Sequence, residues 1–557
     1  MLSLLHYFAL LGVANANLNQ GQEPTAKTLN GTYQGRYLPS WDQDAFLGIP
    51  YAQPPVSQLR YRWPQSLNSS FEDVRDASSY GYSCMQYSGD WNMSEDCLTL
   101  NIIRPAGTDP TALLPVLVWI YGGGLGAGTT ADPQYNLSGI VQVSQELGMP
   151  IVAASLNYRV SHWGFLQSQE ILEEGSSNAG LLDQRLALRW IKENINSFGG
   201  DPRRVVLWGE SAGAQSITYQ MLGYDGRDDR LFHAAILESG GPTGCPLKDL
   251  SYWTVPFQNL TRSVGCDLIK DKLACLRNVS EADLYAARQI QEWQSPLIDG
   301  DYLTGYPSQL MPHGKFVKVP ILTGENTDEG ISFNPSYPPK ADAPLLETDQ
   351  DLFNSFMSWR TYALTPPTIR RLLEIYDSNP CVEPPHTITN CSIFPSKGRQ
   401  WRRAANIGGD LVMIAGRRKM CELFSEPQVN QSVYSYRFDT QLWNRPEIDG
   451  VMHFDNVAFS FQNISGLLGP VSMNEEHWQL ARAIGRAYVR FAYFSNPNPE
   501  DIHDQVGQIL PYWPRYSVSQ PRNMVLNASR SYIETDTYRK EGISVINSPE
   551  VSRELLG

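Results

Sequence analysis

Short, unbroken apolar runs punctuate this chain at residues 116–121, 150–156, 205–208, 234–237 and 319–323. A strand with one wet face alternates polar and apolar residues, so an unbroken run reads as a strand covered on both faces. Amphipathic segments accompany them. Residues 183–194 carry Leu186, Leu188, Trp190 and Ile191 among charges, and residues 478–494 carry Leu480, Ile484, Ala487 and Phe491 at helical spacing. Strands buried on both faces, alternating with helices, imply an α/β fold with a central, mostly parallel sheet. Ligands of such sheets lie beyond the carboxyl ends of the strands. The residues just past each run are therefore where chemistry is to be sought.

A chain of 557 residues would ordinarily divide into two or more domains. No linker divides this one. The Pro-rich stretch 335–344 and Pro384-Pro385 read as insertions on a single domain spanning 17–557. The formal net charge of -14 repels phosphate backbones, so nucleic acid is not an expected partner.

Residues 1–16 read as a secretory signal peptide: an apolar run at 7–13 ends in Ala14-Asn15-Ala16, a small-x-small cleavage pattern, and the chain then turns polar. The alternatives are a buried N-terminal helix or a membrane anchor, and the run is too short to span a bilayer. No later stretch has enough consecutive apolar residues to form an integral membrane segment. Export also fits the Asn-x-Ser/Thr sequons at Asn30, Asn68, Asn92, Asn136, Asn259, Asn278, Asn390, Asn430, Asn463 and Asn527. The eight cysteines are even in number, as disulfides require. Cys84 and Cys97, Cys266 and Cys275, and Cys381 and Cys391 sit close in sequence, leaving Cys245 and Cys421. No Cys-x-x-Cys occurs, so nothing supports a zinc site.

Gly209-Glu210-Ser211-Ala212-Gly213 follows the apolar run 205–208 and precedes a helix-like segment. Strand, tight turn, then helix is the context in which Gly-x-Ser-x-Gly presents a nucleophilic serine, as in α/β-hydrolases. Gly122-Gly123-Gly124 follows the run 116–121. Acyl transfer develops negative charge on a carbonyl oxygen, and fixed backbone amides stabilise it. The expected donors are Gly123, Gly124 and Ala212, the residue after the serine.

The serine needs a base, and in this fold the acid and then the histidine follow the serine in the chain. Of eight histidines, His6 lies in the signal, and His162, His233 and His313 come early or mid-chain. His386 sits in a Pro-rich loop, His477 begins a helix and His503 lies in a polar stretch. His453, in the loop 450–455, is best placed as base. The acid should lie just past the run 319–323, where Glu325, Asp328 and Glu329 compete. Spacing does not choose among them.

The chain resembles the type-B carboxylesterases, the family of the cholinesterases and of certain secreted fungal lipases. The resemblance covers most of residues 17–557. It rests on Phe46-Leu47-Gly48-Ile49-Pro50-Tyr51-Ala52, Ser94-Glu95-Asp96-Cys97-Leu98, Asn157-Tyr158-Arg159-Val160, the stretch 178–185, Phe198-Gly199-Gly200-Asp201-Pro202 and the serine motif. It implies an α/β-hydrolase fold with long insertions and carboxylic ester hydrolysis without metal or cofactor. It also implies that Glu329 of Asp328-Glu329-Gly330 orients His453, and that Ser239 supports that carboxylate. Disulfides Cys84–Cys97 and Cys266–Cys275 and buried ion pairs Arg60–Glu95 and Arg159–Asp183 are implied too.

The departures concern specificity. The family usually has His where Tyr121 stands and an aromatic where Leu125 stands, a change expected to widen the acyl pocket. The loop 84–97 is much shorter than the one that holds the choline-binding tryptophan or forms the lid, and Trp91 is out of register with that tryptophan. Neither choline specificity nor lid-type interfacial activation is therefore expected. The expected protein is a secreted serine esterase acting on small-molecule esters. Triacylglycerol lipase or acyltransferase action on the same triad are the alternatives. A non-catalytic cholinesterase-like adhesion protein typically lacks the serine, which is present here.

Overall fold

The computed structural model describes residues 23–287, 295–336, 345–359, 363–381, 391, 393–443, 445–462, 475–499 and 509–557. Residues 1–16, His386, His503, Asn390, Asn463, Pro384-Pro385 and most of the 335–344 stretch lie outside them.

The core is an eleven-stranded sheet. In chain order its strands are β1 (Arg36–Leu38), β2 (Gln43–Pro50), β3 (Thr99–Pro105), β4 (Leu114–Ile120), β5 (Val152–Leu156) and β6 (Gly200–Glu210), followed by β7 (Ala234–Glu238), β8 (Ile321–Asn326), β9 (Val433–Phe438), β10 (Arg522–Leu526) and β11 (Tyr532–Thr535). Their spatial order is β11-β10-β9-β8-β7-β6-β4-β5-β3-β2-β1. From β5 across to β10 every neighbouring pair is parallel. The strands β1, β2, β3 and β11 pair antiparallel at the two margins.

All five apolar runs lie in central strands. Inside β4 and β6 the Trp119 and Trp208 rings meet at 4.7 Å, and Phe461 stacks on Trp208 at 4.4 Å. Rings of this size bury large apolar areas and dominate core energetics. The strands β3 and β9 escape the pattern because polar groups sit inside them with dedicated partners. In β9, Ser435 donates to Asn523 at 2.7 Å, and Arg437 reaches Glu534, Asp439 and Thr327. In β3, Asn101 donates to Thr130 and Ser155, while Arg104 of β3 pairs with Asp44 of β2 at 3.2 Å.

Two helices bracket the centre: α1 (Ala179–Asn194) and α2 (Ala212–Gly226). Further on, α3 (Trp401–Gly409) and α4 (Ala415–Ser425) are joined by a π-helical segment, and α5 (Glu475–Phe494) packs near Trp208 through Tyr488. A separate apolar cluster joins Leu352, Phe356, Ile369 and Leu372 to Ile543 and Val551. The expected helix 183–194 starts one turn earlier, and 478–494 starts three residues earlier. Both ion pairs are present and buried: Arg60–Glu95 at 2.5 Å and Arg159–Asp183 at 2.7 Å.

Disulfides link Cys84–Cys97, Cys266–Cys275 and Cys381–Cys391. Neither Cys245 nor Cys421 is disulfide-bonded. Burial pushes the Cys421 thiol up to about 12, so it stays protonated and inert.

Candidate active site

Strand order reverses at β4. After β5 the chain crosses back and enters β6 on the far side of β4. The crevice beyond a reversal of this kind is where parallel α/β sheets bind ligands. Gly122-Gly123-Gly124 leaves the end of β4 and Ser211 leaves the end of β6. The register pairs Ile120 with Gly209, which sets Gly122 beside Ser211.

The turn at Ser211 is strained, with φ 55° and ψ -124°. A non-glycine residue held there costs about 1–3 kcal/mol, which the surroundings must supply. They leave no room for larger neighbours. A Cβ on Gly213 would stand 2.0 Å from the Ile120 carbonyl oxygen, and one on Gly122 would stand 2.6 Å from that of Glu210. The Ser211 amide donates to the Glu238 carbonyl at 2.9 Å, tying the turn to β7. Helix α2 begins at the next residue. Its first amide, that of Ala212, has no intrahelical partner. The Gly123 and Gly124 amides likewise meet no protein acceptor among the described residues, and both glycines are exposed. Three amides thus flank the turn ready to accept an anion.

The acid side is built from the next strands. The three competing carboxylates have separate partners. Glu325 pairs with Arg417 at 2.5 Å and accepts from the Tyr538 hydroxyl at 2.8 Å. Asp328 exchanges bonds with Val451: the Asp328 amide donates to the Val451 carbonyl at 2.9 Å, and the Val451 amide donates to Asp328 Oδ2 at 2.8 Å. That pairing fixes the loop carrying His453. Glu329 meets the candidate base, with its Oε2 2.6 Å from His453 Nδ1. Its other oxygen, Oε1, accepts from Ser239 Oγ at 2.5 Å and from the Asn326 amide at 2.8 Å. Gly330 completes the motif by allowing close approach: a Cβ there would lie 1.6 Å from the Ala405 carbonyl oxygen of α3. The Phe333 ring meets the imidazole edge-on at 4.6 Å.

The structure therefore gathers Ser239, Glu329 and His453 into one hydrogen-bonded chain and sets Ser211 at a neighbouring strand end. The remaining described histidines lie elsewhere. His162 is buried between the Tyr61 and Tyr87 hydroxyls, His233 bonds the Val205 carbonyl, His313 bonds the Gln309 carbonyl, and His477 meets Phe459. Leu125 is buried in the core with φ 60°.

The sequence reasoning missed Glu210. This buried carboxylate precedes Ser211, and its Oε1 lies 3.2 Å from His453 Nε2. The two form an ion pair when the ring is protonated, and Glu210 Oε1 has no hydrogen-bond partner among the described residues. The variable position of Gly-x-Ser-x-Gly was the available signal. Burial pushes Glu210 up to about 8, with the nearby Glu329 and Glu238 adding to the rise and His453 opposing it. Burial pulls the His453 imidazolium down, but the Glu210 and Glu329 carboxylates outweigh it and lift the ring to about 9. Behind Glu210, Glu238 accepts from the Tyr488 hydroxyl at 2.5 Å, and burial raises it to about 7.

The profile of the carboxylesterase family matches residues 22–543. Lipase 2 of Geotrichum candidum is 31% identical over 93% of this chain and 93% of its own length. Lipase 4 of Diutina rugosa is 33% identical over 94% of this chain and 95% of its own. The crystal structure of Aspergillus niger EstA superimposes with a TM-score of 0.81 and 26% identity, covering 96% of this chain and 99% of that one. The chain has the α/β-hydrolase fold and belongs to the carboxylesterase family, a family of carboxylic ester hydrolases.

Proposed function

We propose that this protein is a secreted serine carboxylesterase that cleaves small-molecule esters through an acyl-enzyme on Ser211. The observation that carries the reading is the 2.6 Å contact between His453 Nδ1 and Glu329 Oε2, with the other ring nitrogen 3.2 Å from Glu210, the residue before the strained Ser211 turn. In the cycle, Ser211 Oγ attacks the ester carbonyl carbon as its proton passes to His453 Nε2. Glu329 holds the ring and stabilises its charged form. The amides of Gly123, Gly124 and Ala212 bind the oxyanion, each contributing about 3 kcal/mol to the transition state. As the tetrahedral intermediate collapses, the bond to the alkoxide breaks and His453 protonates the leaving alcohol. Water, deprotonated by His453, then attacks the acyl carbonyl carbon; as that intermediate collapses the bond to Ser211 Oγ breaks, His453 returns the proton to Oγ and the acid leaves. The protein's own side chains and amides suffice for each step.

Secretion draws support from the signal-like residues 1–16, the disulfides, and sequons whose Asn68, Asn92, Asn278 and Asn430 are exposed. Among the described residues no helix is long and apolar enough to cross a membrane.

A second reading, triacylglycerol lipase, draws on relatives named lipase, one of them a secreted triacylglycerol lipase. Against interfacial activation, the loop 84–97 is closed by a disulfide and tied down internally. Gln86 exchanges two 2.9 Å hydrogen bonds with Gly128, and the Tyr87 hydroxyl meets His162 at 3.0 Å.

The test is hydrolysis of a short-chain p-nitrophenyl ester by the secreted full chain beside Ser211→Ala. The variant should lose about three orders of magnitude or more in rate, and a fluorophosphonate should label only the wild type. Folded wild-type protein that neither turns over nor labels sinks the reading. A rate jump above the solubility limit of a triglyceride would favour the lipase.

A further inference from the structure

The triglycine segment that carries two of the proposed oxyanion donors is conformationally permissive by composition. Something must hold it. Its entry residue, Tyr121, is fully buried and stacks on Tyr158, with ring centroids 4.5 Å apart and planes 17° from parallel. Three hydrogen bonds close a ring between them. The Tyr121 hydroxyl donates to the Tyr158 carbonyl at 2.9 Å, the Tyr158 amide donates to the Tyr121 hydroxyl at 3.1 Å, and the Tyr158 hydroxyl donates to the Tyr121 carbonyl at 2.9 Å.

The last bond matters most for the glycines. The peptide unit is planar, so fixing the Tyr121 carbonyl fixes the Gly122 N–H direction as well. At the far end of the segment, the Leu125 carbonyl accepts from the Ser161 amide at 2.8 Å. Only Gly122, Gly123 and Gly124 lie between the two anchors, and both anchors belong to residues 158–161. That segment is itself rigid. Arg159 makes three bonds to Asp183 of α1, from its backbone amide at 3.0 Å and from Nε and Nη2 at 2.8 and 2.7 Å. Burial raises both phenols well above the ordinary tyrosine value, so the hydroxyls remain donors at every working pH.

We infer that Tyr158 is a positioning residue for acyl transfer: its hydroxyl, on a segment locked to Asp183, presets the glycine loop so that the Gly123 and Gly124 amides are aimed before substrate arrives. This rests on the acyl-enzyme reading above. Tyr121 takes part through its carbonyl and its hydroxyl, and neither phenol touches the substrate.

The experiment compares wild type with Tyr158→Phe, which keeps the stacked ring and removes one hydroxyl. Losing a whole oxyanion donor lowers kcat about 10²–10³-fold, so a loosened pair should lower it about tenfold, with KM within about threefold. The Ki of a trifluoromethyl ketone, whose adduct with Ser211 places an oxyanion in the hole, should rise in parallel. Tyr121→Phe, which frees the Tyr158 backbone, should act in the same direction, and the double variant should lose less than the product of the two. Both variants within twofold of wild type in kcat and in Ki overturn the inference, whatever happens to Tm. Failure of both to fold assigns the pair to the core alone and overturns it too. Fluorophosphonate labelling of the wild type separates the levels: an unlabelled wild type removes the acyl-enzyme reading, while a labelled wild type with unaffected variants removes only this inference.

Discussion

His453 Nε2 stands 3.2 Å from Glu210 Oε1, on the opposite side of the ring from Glu329. The imidazole is thus held between two buried carboxylates, which favour its charged form and lift it to about 9. General-base catalysis needs the neutral ring. The acid limb of the kcat/KM profile should therefore lie above the ordinary imidazole value, and activity should fall as pH drops through it. Glu210→Gln removes one of the two charges, which destabilises imidazolium and lowers the ring's affinity for a proton. The limb should then move to lower pH by about one unit or more, the size expected for an opposite charge this close. Profiles of kcat/KM from acid to alkaline pH read the shift directly, and an unmoved limb would show that Glu210 does not set the base.

The partners of Glu325, Asp328 and Glu329 differ, and so should the consequences of neutralising each. Glu329→Gln removes the carboxylate on His453 Nδ1 and should lower kcat about 10³–10⁴-fold with the fold intact, as loss of a triad acid does. Asp328→Asn weakens the bond to the Val451 amide and should mainly loosen the His453 loop. Glu325→Gln touches only the Arg417 network and should cost stability, not turnover. Steady-state kinetics and thermal unfolding of the three variants together separate these roles. Comparable losses of kcat in all three would argue against Glu329 as the sole orienting acid.

Much of the fold was legible because its central strands are covered on both faces. Burial of this kind forces unbroken apolar runs, as in β4 and β5. The strands β3 and β9 were not legible, since Asn101, Arg104, Ser435 and Arg437 interrupt their apolar pattern. Only the tertiary structure shows that each of these has a buried partner. At the site, Ser211 and the glycines announced themselves through local rules that act within a few residues. The choice of Glu329 over its neighbours came from family resemblance, because spacing carries no information about which carboxylate turns inward. Glu210 escaped notice for a similar reason. Its contact with His453 joins positions 210 and 453 and exists only once β6 and the loop after β9 meet.

Ser239 is held with φ 48° at the end of β7, and its hydroxyl donates to Glu329 Oε1 at 2.5 Å. Hydrogen bonds to a charged acceptor contribute about 1.5–3 kcal/mol. The Asn326 amide still serves the same oxygen when Ser239 is removed. Ser239→Ala should therefore be milder than loss of Glu329, lowering kcat about tenfold and stability by about 1–2 kcal/mol. Ser239→Thr retains the hydroxyl and should recover part of the turnover if space allows. Turnover in Ser239→Ala equal to wild type would mean that the Asn326 amide alone holds the carboxylate.

The Cys84–Cys97 disulfide closes a loop whose ends are 13 residues apart in sequence. A loop near this length constrains the unfolded chain by about 3 kcal/mol in the chain-entropy view. Replacing both cysteines with serine should lower the temperature of unfolding accordingly. A second effect follows from Gln86, two residues inside the loop, which exchanges hydrogen bonds with Gly128 just past the glycine segment. Freeing the loop should let Gln86 drift and lower kcat even well below the unfolding temperature. Cys266–Cys275, with its ends nine residues apart, packs in a cluster with Phe257 and Leu260 and, among the described residues, makes no hydrogen bond to Gly128, so its removal should act mainly on stability. Thermal unfolding and kcat at one low temperature, measured on both double variants, test the contrast. Equal turnover in the two would show that the 84–97 loop contributes to the site only through stability.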